Sequence, residues 1–370
     1  MKGSNPLHTP LCDRLGIEVP LFAFSRSPEV VVEVCKAGGM GVLGAISFEA
    51  DELAEHLDWI DAHIGGRPYG VDVVMPASHA AKASEAPAAL DALLPPAHRQ
   101  FVVDLLDRYQ VPALPEGSAA KGLLGWLPEK MAAQVEVVLT HPIRLLANAL
   151  GPPPPQIVAA AHAKGVLVAA LVGSVTHAKK QVEAGVDIIV AQGWEAGGHT
   201  GEVSTMVLVP EVVDALGDVP VLAAGGIGSG RQFAAALCLG AQGAWTGSIW
   251  LTAAESGTHP SVQARLLSAS SSDTVRSRAL TGKPARQLRT AWTEAWDAPS
   301  SPGPLPLPLQ FLLTADAVTR LHTYADHPGA KILLGSPIGQ IVGRMNAVRP
   351  TAEIMNDLIT EARKVLTRGE

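Results

Sequence analysis

The apolar positions of this chain fall into short runs that alternate with stretches of helical spacing. Runs at 186–191, 219–224 and 243–247 are the clearest, and the first two each lead through a Gly-rich turn into a helical pattern. That is β-loop-α repeated, the pattern of a parallel sheet. Upstream, 19–24, 40–45, 69–74, 135–139 and 166–172 read as further strands. Helices are predicted over 29–37, stopped by Gly38-Gly39, and over 50–63, where Leu53, Leu57 and Ile60 share one face. Others follow at 156–164, entered through the proline run that starts at Pro152, and at 175–184. Eight βα units of this kind close a (β/α)8 TIM barrel. An open doubly wound sheet is the alternative, and the absence of a G-x-G-x-x-G after the first strand disfavours it.

Two stretches break the repeat. Residues 75–134 are long for one βα connection. Within them, 76–96 reads as irregular, 97–109 as helical, and 111–126 as a loop that could act as a lid over the barrel mouth. Beyond Leu251 the pattern becomes mixed, with polar segments at 263–268 and 273–280. Trp292 and Trp296 lie four apart on one helical side, 298–308 is Pro-rich, 311–324 is helical, and 350–367 is amphipathic through Ile354, Leu358 and Ala362. The expected organisation is a barrel over 1–255, a small cap over 256–336 inserted before the last barrel helix, and a return segment with that helix over 337–370.

Composition narrows the function classes. The chain has 370 residues, 47% hydrophobic and 17% charged, with a net charge of −7 and no dense basic run. Those values argue against a nucleic-acid surface. Cys12, Cys35 and Cys238 are far apart and form neither a disulfide framework nor a zinc site. The polar N-terminus and the interrupted apolar region at 157–173 predict a soluble, cytoplasmic protein without membrane contact. The sequence leaves open whether copies associate into a homo-oligomer.

Candidate chemistry gathers at the last three predicted strand ends. Gly225-Gly226-Ile227-Gly228-Ser229-Gly230 opens onto a helix at 231–239, where close backbone approach and a helix N-terminus favour an anion. Gly247 and Ser248 form a second small pair at the next strand end. Loops after strands 7 and 8 commonly form the phosphate site of this barrel. The loop QGWEAGGHTG sets His199 among glycines just past a strand end, where an imidazole can act as a general base. His141, after the predicted fourth strand, is a minor candidate more simply read as a loop residue.

QGWEAGGHTG, AAGGIG and the TGS strand end together resemble the nitronate monooxygenase family, the 2-nitropropane dioxygenase-like flavoproteins. FMN-dependent enoyl reductases of the same superfamily share the E-x-G-G-H part. The resemblance covers most of 10–255, with an echo at Gly339-Gln340, a segment that approaches the active site in that family. It implies FMN, with Gly226, Gly247 and Ser248 on its phosphate and Gln192 and Gly197 further along the flavin. It implies His199 as the catalytic residue, either removing the α-proton of a neutral nitroalkane or holding an anionic nitronate. The implied reaction is oxidation of an alkyl nitronate by O2 to a carbonyl compound and nitrite. Three positions depart from the family pattern. Asp72 stands where an Asn contacts the flavin, Trp245 where a Gln is usual, and Ala23-Phe24-Ser25 where a Met-containing turn is common. The alternatives are an NAD(P)H-dependent enoyl-thioester reductase and a flavin-binding barrel without activity.

Overall fold

The computed structural model describes residues 5–75, 87–115 and 128–367. Helix α1 (Pro10–Leu15) precedes strand β1 (Leu21–Ser25), followed by α2 (Pro28–Lys36), β2 (Met40–Gly44), α3 (Ala50–His63) and β3 (Gly70–Asp72). The long connection carries α4 (Pro87–Ala92), α5 (Pro96–Arg108) and α6 (Pro128–Val138) before β4 (Leu145–Asn148). Then come α7 (Pro155–Ala163), β5 (Leu167–Val172), α8 (Val175–Glu183), β6 (Ile188–Gln192) and the two-residue β7 (Gly198–His199). After these stand α9 (Thr205–Leu216), β8 (Val221–Ala224), α10 (Gly230–Cys238) and β9 (Gly243–Thr246). The remainder holds α11 (Pro260–Ser268), β10 (Thr274–Ser277), β11 (Ala285–Leu288), α12 (Ala291–Asp297), α13 (Leu309–Thr323), α14 (Pro328–Leu333) and α15 (Thr351–Leu366).

Strands β1-β2-β3-β4-β5-β6-β8-β9 close a parallel barrel, with β9 pairing back onto β1 through Phe22↔Trp245. Side chains alternate across each strand, and the barrel needs both faces apolar. Phe22, Met40, Val42, Leu145, Ile188, Leu222 and Trp245 fill the inside, and Leu11 and Leu15 of α1 join that cluster. Leu21, Leu43, Val71, Leu146 and Ile189 face outward against the helices. The eighth helix of the ring is α15, which packs against α10 and α2. Its Leu358 and Ala362 are buried and Ile354 is partly so.

One strand differs from its expected place. Residues 135–139 are not the fourth strand: most of them end α6, and β4 lies at Leu145–Asn148. Val135, Val138 and Leu139 are buried at i, i+3 and i+4, a helical face, and α6 packs on α3. A five-residue apolar run does not separate helix from strand by itself. His141 moves with this correction. It lies in the turn before β4, with Nδ1 at 2.8 Å from Asp61 Oδ2, away from the strand ends that carry chemistry.

A second apolar cluster draws on both irregular stretches. It joins Val102, Leu105 and Leu106 of α5 to Val262, Trp292, Trp296, Leu313 and Leu321, with α5 packed on α13. We take 256–336 as a cap; this cluster crosses its bounds, taking in α5 and reaching Ile338, Val342 and Met345. Strands β10 and β11 of the cap join β7 from the loop after β6 in an antiparallel sheet, β10-β11-β7, that the polar pattern of 273–280 does not announce. Most of the expected lid at 111–126 lies outside the described residues, as does much of 76–96. No described helix is long and apolar enough to cross a membrane.

Candidate active site

The strand ends β6, β8 and β9 and the cap enclose one cavity of about 1310 Å³. Asp72, Gln192, Gly197, His199, Gly226, Trp245, Gly247 and Ser248 all line it. The structure thus brings these eight residues together, and leaves the minor candidate His141 outside the cavity.

The barrel side offers mainly backbone. Gly226 has φ +71°, a left-handed conformation costly for a side chain with a Cβ. Among the described residues, no protein acceptor takes the backbone N–H groups of Gly226, Gly247 or Ser248. Unpaired N–H groups on a cavity wall form a nest for an anion. The helix behind the turn is not part of that nest. Glu361 of α15 accepts from Gly230 N at 2.7 Å and Arg231 N at 3.4 Å, so α10 is capped from within the protein. The expectation that this helix N-terminus serves a ligand is therefore corrected: its orphan donors are already satisfied.

The echo at Gly339-Gln340 has a physical basis. Gly339 N donates to Ser248 Oγ at 2.9 Å, and Gln340 N donates to Glu195 O at 2.9 Å. This segment clamps the β6 loop to the β9 end. A Cβ on Gly197 would lie 2.8 Å from Gly339 N, so both backbones approach too closely for a side chain. Gln192 Nε2 donates to Gly197 O at 3.3 Å, steadying the loop from its strand end. Trp245 is buried and stacks near Phe22 and Phe24, with centroids 6.2 and 6.5 Å away. It presents an aromatic wall to the cavity.

Asp72 ends β3 with 6% exposure, and among the described residues its carboxyl makes no hydrogen bond. Burial pushes it up to about 7. A charge withdrawn from water without a partner is disfavoured, so the proton is held up to about pH 7. A protonated carboxyl donates an O–H, as the amide of an Asn donates an N–H.

His199 is placed by β7, which pairs with β11 through Ala285↔His199. Its Nε2 lies 2.8 Å from Thr281 Oγ1. The Thr281 hydroxyl donates to Lys283 O at 3.2 Å, which leaves its lone pairs to accept from Nε2–H. In that arrangement Nδ1 is the basic nitrogen. Burial, then the nearby Lys283 charge, lowers His199 to about 4, so the ring is neutral at pH 7. Lys283 lines the same cavity, and burial lowers its pKa too. Among the described residues its ammonium has no hydrogen-bond or ion-pair partner.

The cap also fixes the loop that carries His199. Arg286 donates from Nε to Trp194 O at 3.0 Å, and Arg276 donates to Thr200 O at 3.1 Å. Arg276 stacks over the Trp194 ring at 4.1 Å. Glu195 accepts from Thr205 N and Oγ1, each at 2.9 Å, at the start of α9. Sequence reasoning missed Thr281, Lys283, Arg276 and Arg286. The one available signal was that 276–289 holds five basic residues and no acidic one in an otherwise acidic chain.

Comparison with known proteins follows the same lines. The family model for nitronate monooxygenase matches residues 10–361. A Mycobacterium tuberculosis protein named provisionally as a monooxygenase is 51% identical over 361 residues, covering 96% of both chains. A Staphylococcus aureus protein named provisionally as a nitronate monooxygenase is 28% identical, covering 96% of this chain and 98% of its own. The crystal structure of a nitroalkane oxidase from Streptomyces ansochromogenes superposes with TM-score 0.79 at 26% identity, over 98% of this chain and 100% of that one.

Proposed function

Because the chain belongs to the nitronate monooxygenase family, a family of flavin-dependent oxidoreductases, we propose that it binds FMN and oxidises alkyl nitronates with O2 to a carbonyl compound and nitrite. The observation that carries this reading is the meeting of two unlike features on one cavity. These are the open N–H groups of Gly226, Gly247 and Ser248, and the buried imidazole of His199.

The residues present fit a phosphate-bearing flavin. Gly226, Gly247 and Ser248 would hold the phosphate through backbone N–H groups. Gln192 and Gly197 would contact the ring system, Trp245 would support it from the barrel interior, and protonated Asp72 would donate to it. Bound there, the flavin accepts electrons from the substrate, while the protein supplies placement and electrostatics. His199 selects the form of the substrate. A ring whose conjugate acid titrates near 4 is a weak base toward the α-proton of a nitroalkane. A nitronate has already lost that proton, so its oxidation asks no proton abstraction of a weak base. The nitronate is therefore the better substrate. We place the enzyme in the cytoplasm, acting on a small molecule without nucleic acid or membrane.

An anaerobic titration tests the reading. The purified protein should show an FMN spectrum, and propyl-nitronate should remove the oxidised-flavin absorbance while NADPH leaves it. Rapid loss with NADPH alone would instead favour an enoyl-thioester reductase. No response to any donor by a flavin-loaded protein would indicate a barrel without activity. Failure to take up FMN at all would remove the Gly226, Gly247 and Ser248 assignment.

A further inference from the structure

The cavity is larger than this reaction needs. Its volume of about 1310 Å³ exceeds the roughly 300–1,000 Å³ of pockets that enclose one drug-sized ligand. A flavin at the β6, β8 and β9 ends leaves the cap side for a second molecule. There the wall is mainly apolar, with Val262, Trp292, Ala315, Val318, Leu321 and Leu333 interrupted by polar side chains such as Thr314 and His322. Trp292 donates its Nε1–H to Ala279 O at 3.3 Å, so only its ring remains to face a ligand. Protein interiors are close-packed, and an apolar chamber that the chain does not fill itself matches an apolar guest. A short alkyl nitronate would leave it facing water.

The polar end of this chamber has one sign. The chain carries −7 overall, yet at the junction of barrel and cap stands Lys283, beside His199 and without an acceptor among the described residues. The two carboxylates of the cavity wall are otherwise placed. Glu29 accepts from Ser27 Oγ at 2.8 Å, and Asp72 ends β3 on the barrel side. A half-buried ammonium without a counter-ion attracts an anion more strongly than one in open water.

We propose that the substrate is an acid with a bulky apolar body, its charged end set at Lys283 beside His199 and its body in the chamber beneath α13. The inference rests on the reading of this cavity as a joint cofactor and substrate site, and it names the class of molecule that fills the second half. Lys283 then acts as a specificity residue that touches substrate.

The test is equilibrium binding to the flavin-loaded protein, followed by flavin difference absorbance and tryptophan fluorescence. The probes are decanoate, decanol and acetate. Decanoate should bind at least about tenfold tighter than either, since decanol lacks the charge-assisted hydrogen bond and acetate lacks the apolar body. Lys283→Gln should bring decanoate down to the level of decanol. Val318→Trp, which fills the chamber, should weaken decanoate by about tenfold and leave acetate unchanged. Flavin loading of each variant checks that it has folded. Equal binding of decanoate and acetate overturns the proposal. So does a decanoate advantage over decanol that survives Lys283→Gln in a flavin-loaded variant. Because binding is read without turnover, the two readings fail separately. Tight decanoate with no oxidation of propyl-nitronate would sink the reaction alone. Oxidation of propyl-nitronate with no preference for decanoate would sink this inference alone.

Discussion

The cavity has two walls built on different principles. The barrel wall works through backbone: open N–H groups at Gly226, Gly247 and Ser248, and a glycine contact between 197 and 339 too tight for a Cβ. The cap wall works through side chains: His199, Thr281 and Lys283 at the end of a three-stranded sheet, then an apolar chamber. Backbone groups recognise what a phosphate and a flat ring have in common. Side chains recognise what distinguishes one substrate from another. Burial acts on both walls with opposite signs. It raises Asp72 to about 7 on the barrel side and lowers His199 to about 4 on the cap side. Both shifts remove charge, and the cation left at the junction is Lys283.

The largest expected effect separates the walls outright. Replacement His199→Asn should leave FMN affinity within about twofold, since the cofactor is held from the barrel side. Turnover with neutral nitroalkane should fall toward the low end of the roughly 10²–10⁴ of a lost acid–base group, because a ring titrating near 4 is a weak base. With nitronate the fall should be smaller, because no proton has to be removed. Steady-state kinetics on both substrates, with flavin content measured alongside, would show this. Equal rates for variant and wild type on both substrates would remove His199 from the chemistry.

This division also explains what the sequence revealed. The barrel wall is made of local motifs, so Gly226, Gly247 and Ser248 could be read from runs of a few residues. Turn glycines and strand ends carry their conformation with them. The cap wall is made by tertiary pairing. Thr281 and Lys283 reach His199 only because β11 pairs with β7 across some eighty residues of chain, a separation seen in the His199–Thr281 contact. No local pattern announces such a pair. The misplaced fourth strand has a different cause, since the residues around Val135 satisfy a strand and a helical face equally well until α3 provides a partner. At α10 the motif was real but its occupant was not foreseeable, because Glu361 comes from the far end of the chain.

The second prediction concerns the barrel wall and pH. The carboxyl of Asp72 holds its proton more tightly folded than unfolded, rising from 3.8 to about 7. Between those values the folded state binds more protons, so stability falls as pH rises, and the penalty is complete above about 7. At about 1.4 kcal/mol per pKa unit the full penalty is on the order of 4 kcal/mol. In flavin-free protein, Asp72→Asn should therefore be more stable than wild type at pH 8 by a few kcal/mol. The advantage should shrink steadily toward pH 5. Denaturant midpoints across that range would reveal it, and a gap independent of pH would mean that Asp72 is not desolvated as described.

The smallest effect decides where the barrel wall ends. The helix start at Gly230 and the strand end at Gly247-Ser248 stand side by side here, and either could offer backbone N–H groups to an anion. The structure gives the first to Glu361, whose carboxylate accepts from Gly230 N and pairs with Arg231 at 3.1 Å. It leaves the N–H of the second open. Replacement Glu361→Ala removes a cap from a partly exposed site and should cost about 1 kcal/mol of stability. FMN affinity should stay within about twofold, because the phosphate has no call on the α10 terminus. A tenfold loss of FMN affinity, at unchanged fold by circular dichroism, would show that Glu361 orders the phosphate site. A tenfold gain would show that Glu361 had been competing with the phosphate for the same N–H groups. In either case the wall would extend past Ile227 into α10, and the separation between backbone recognition and helix capping would have to be redrawn.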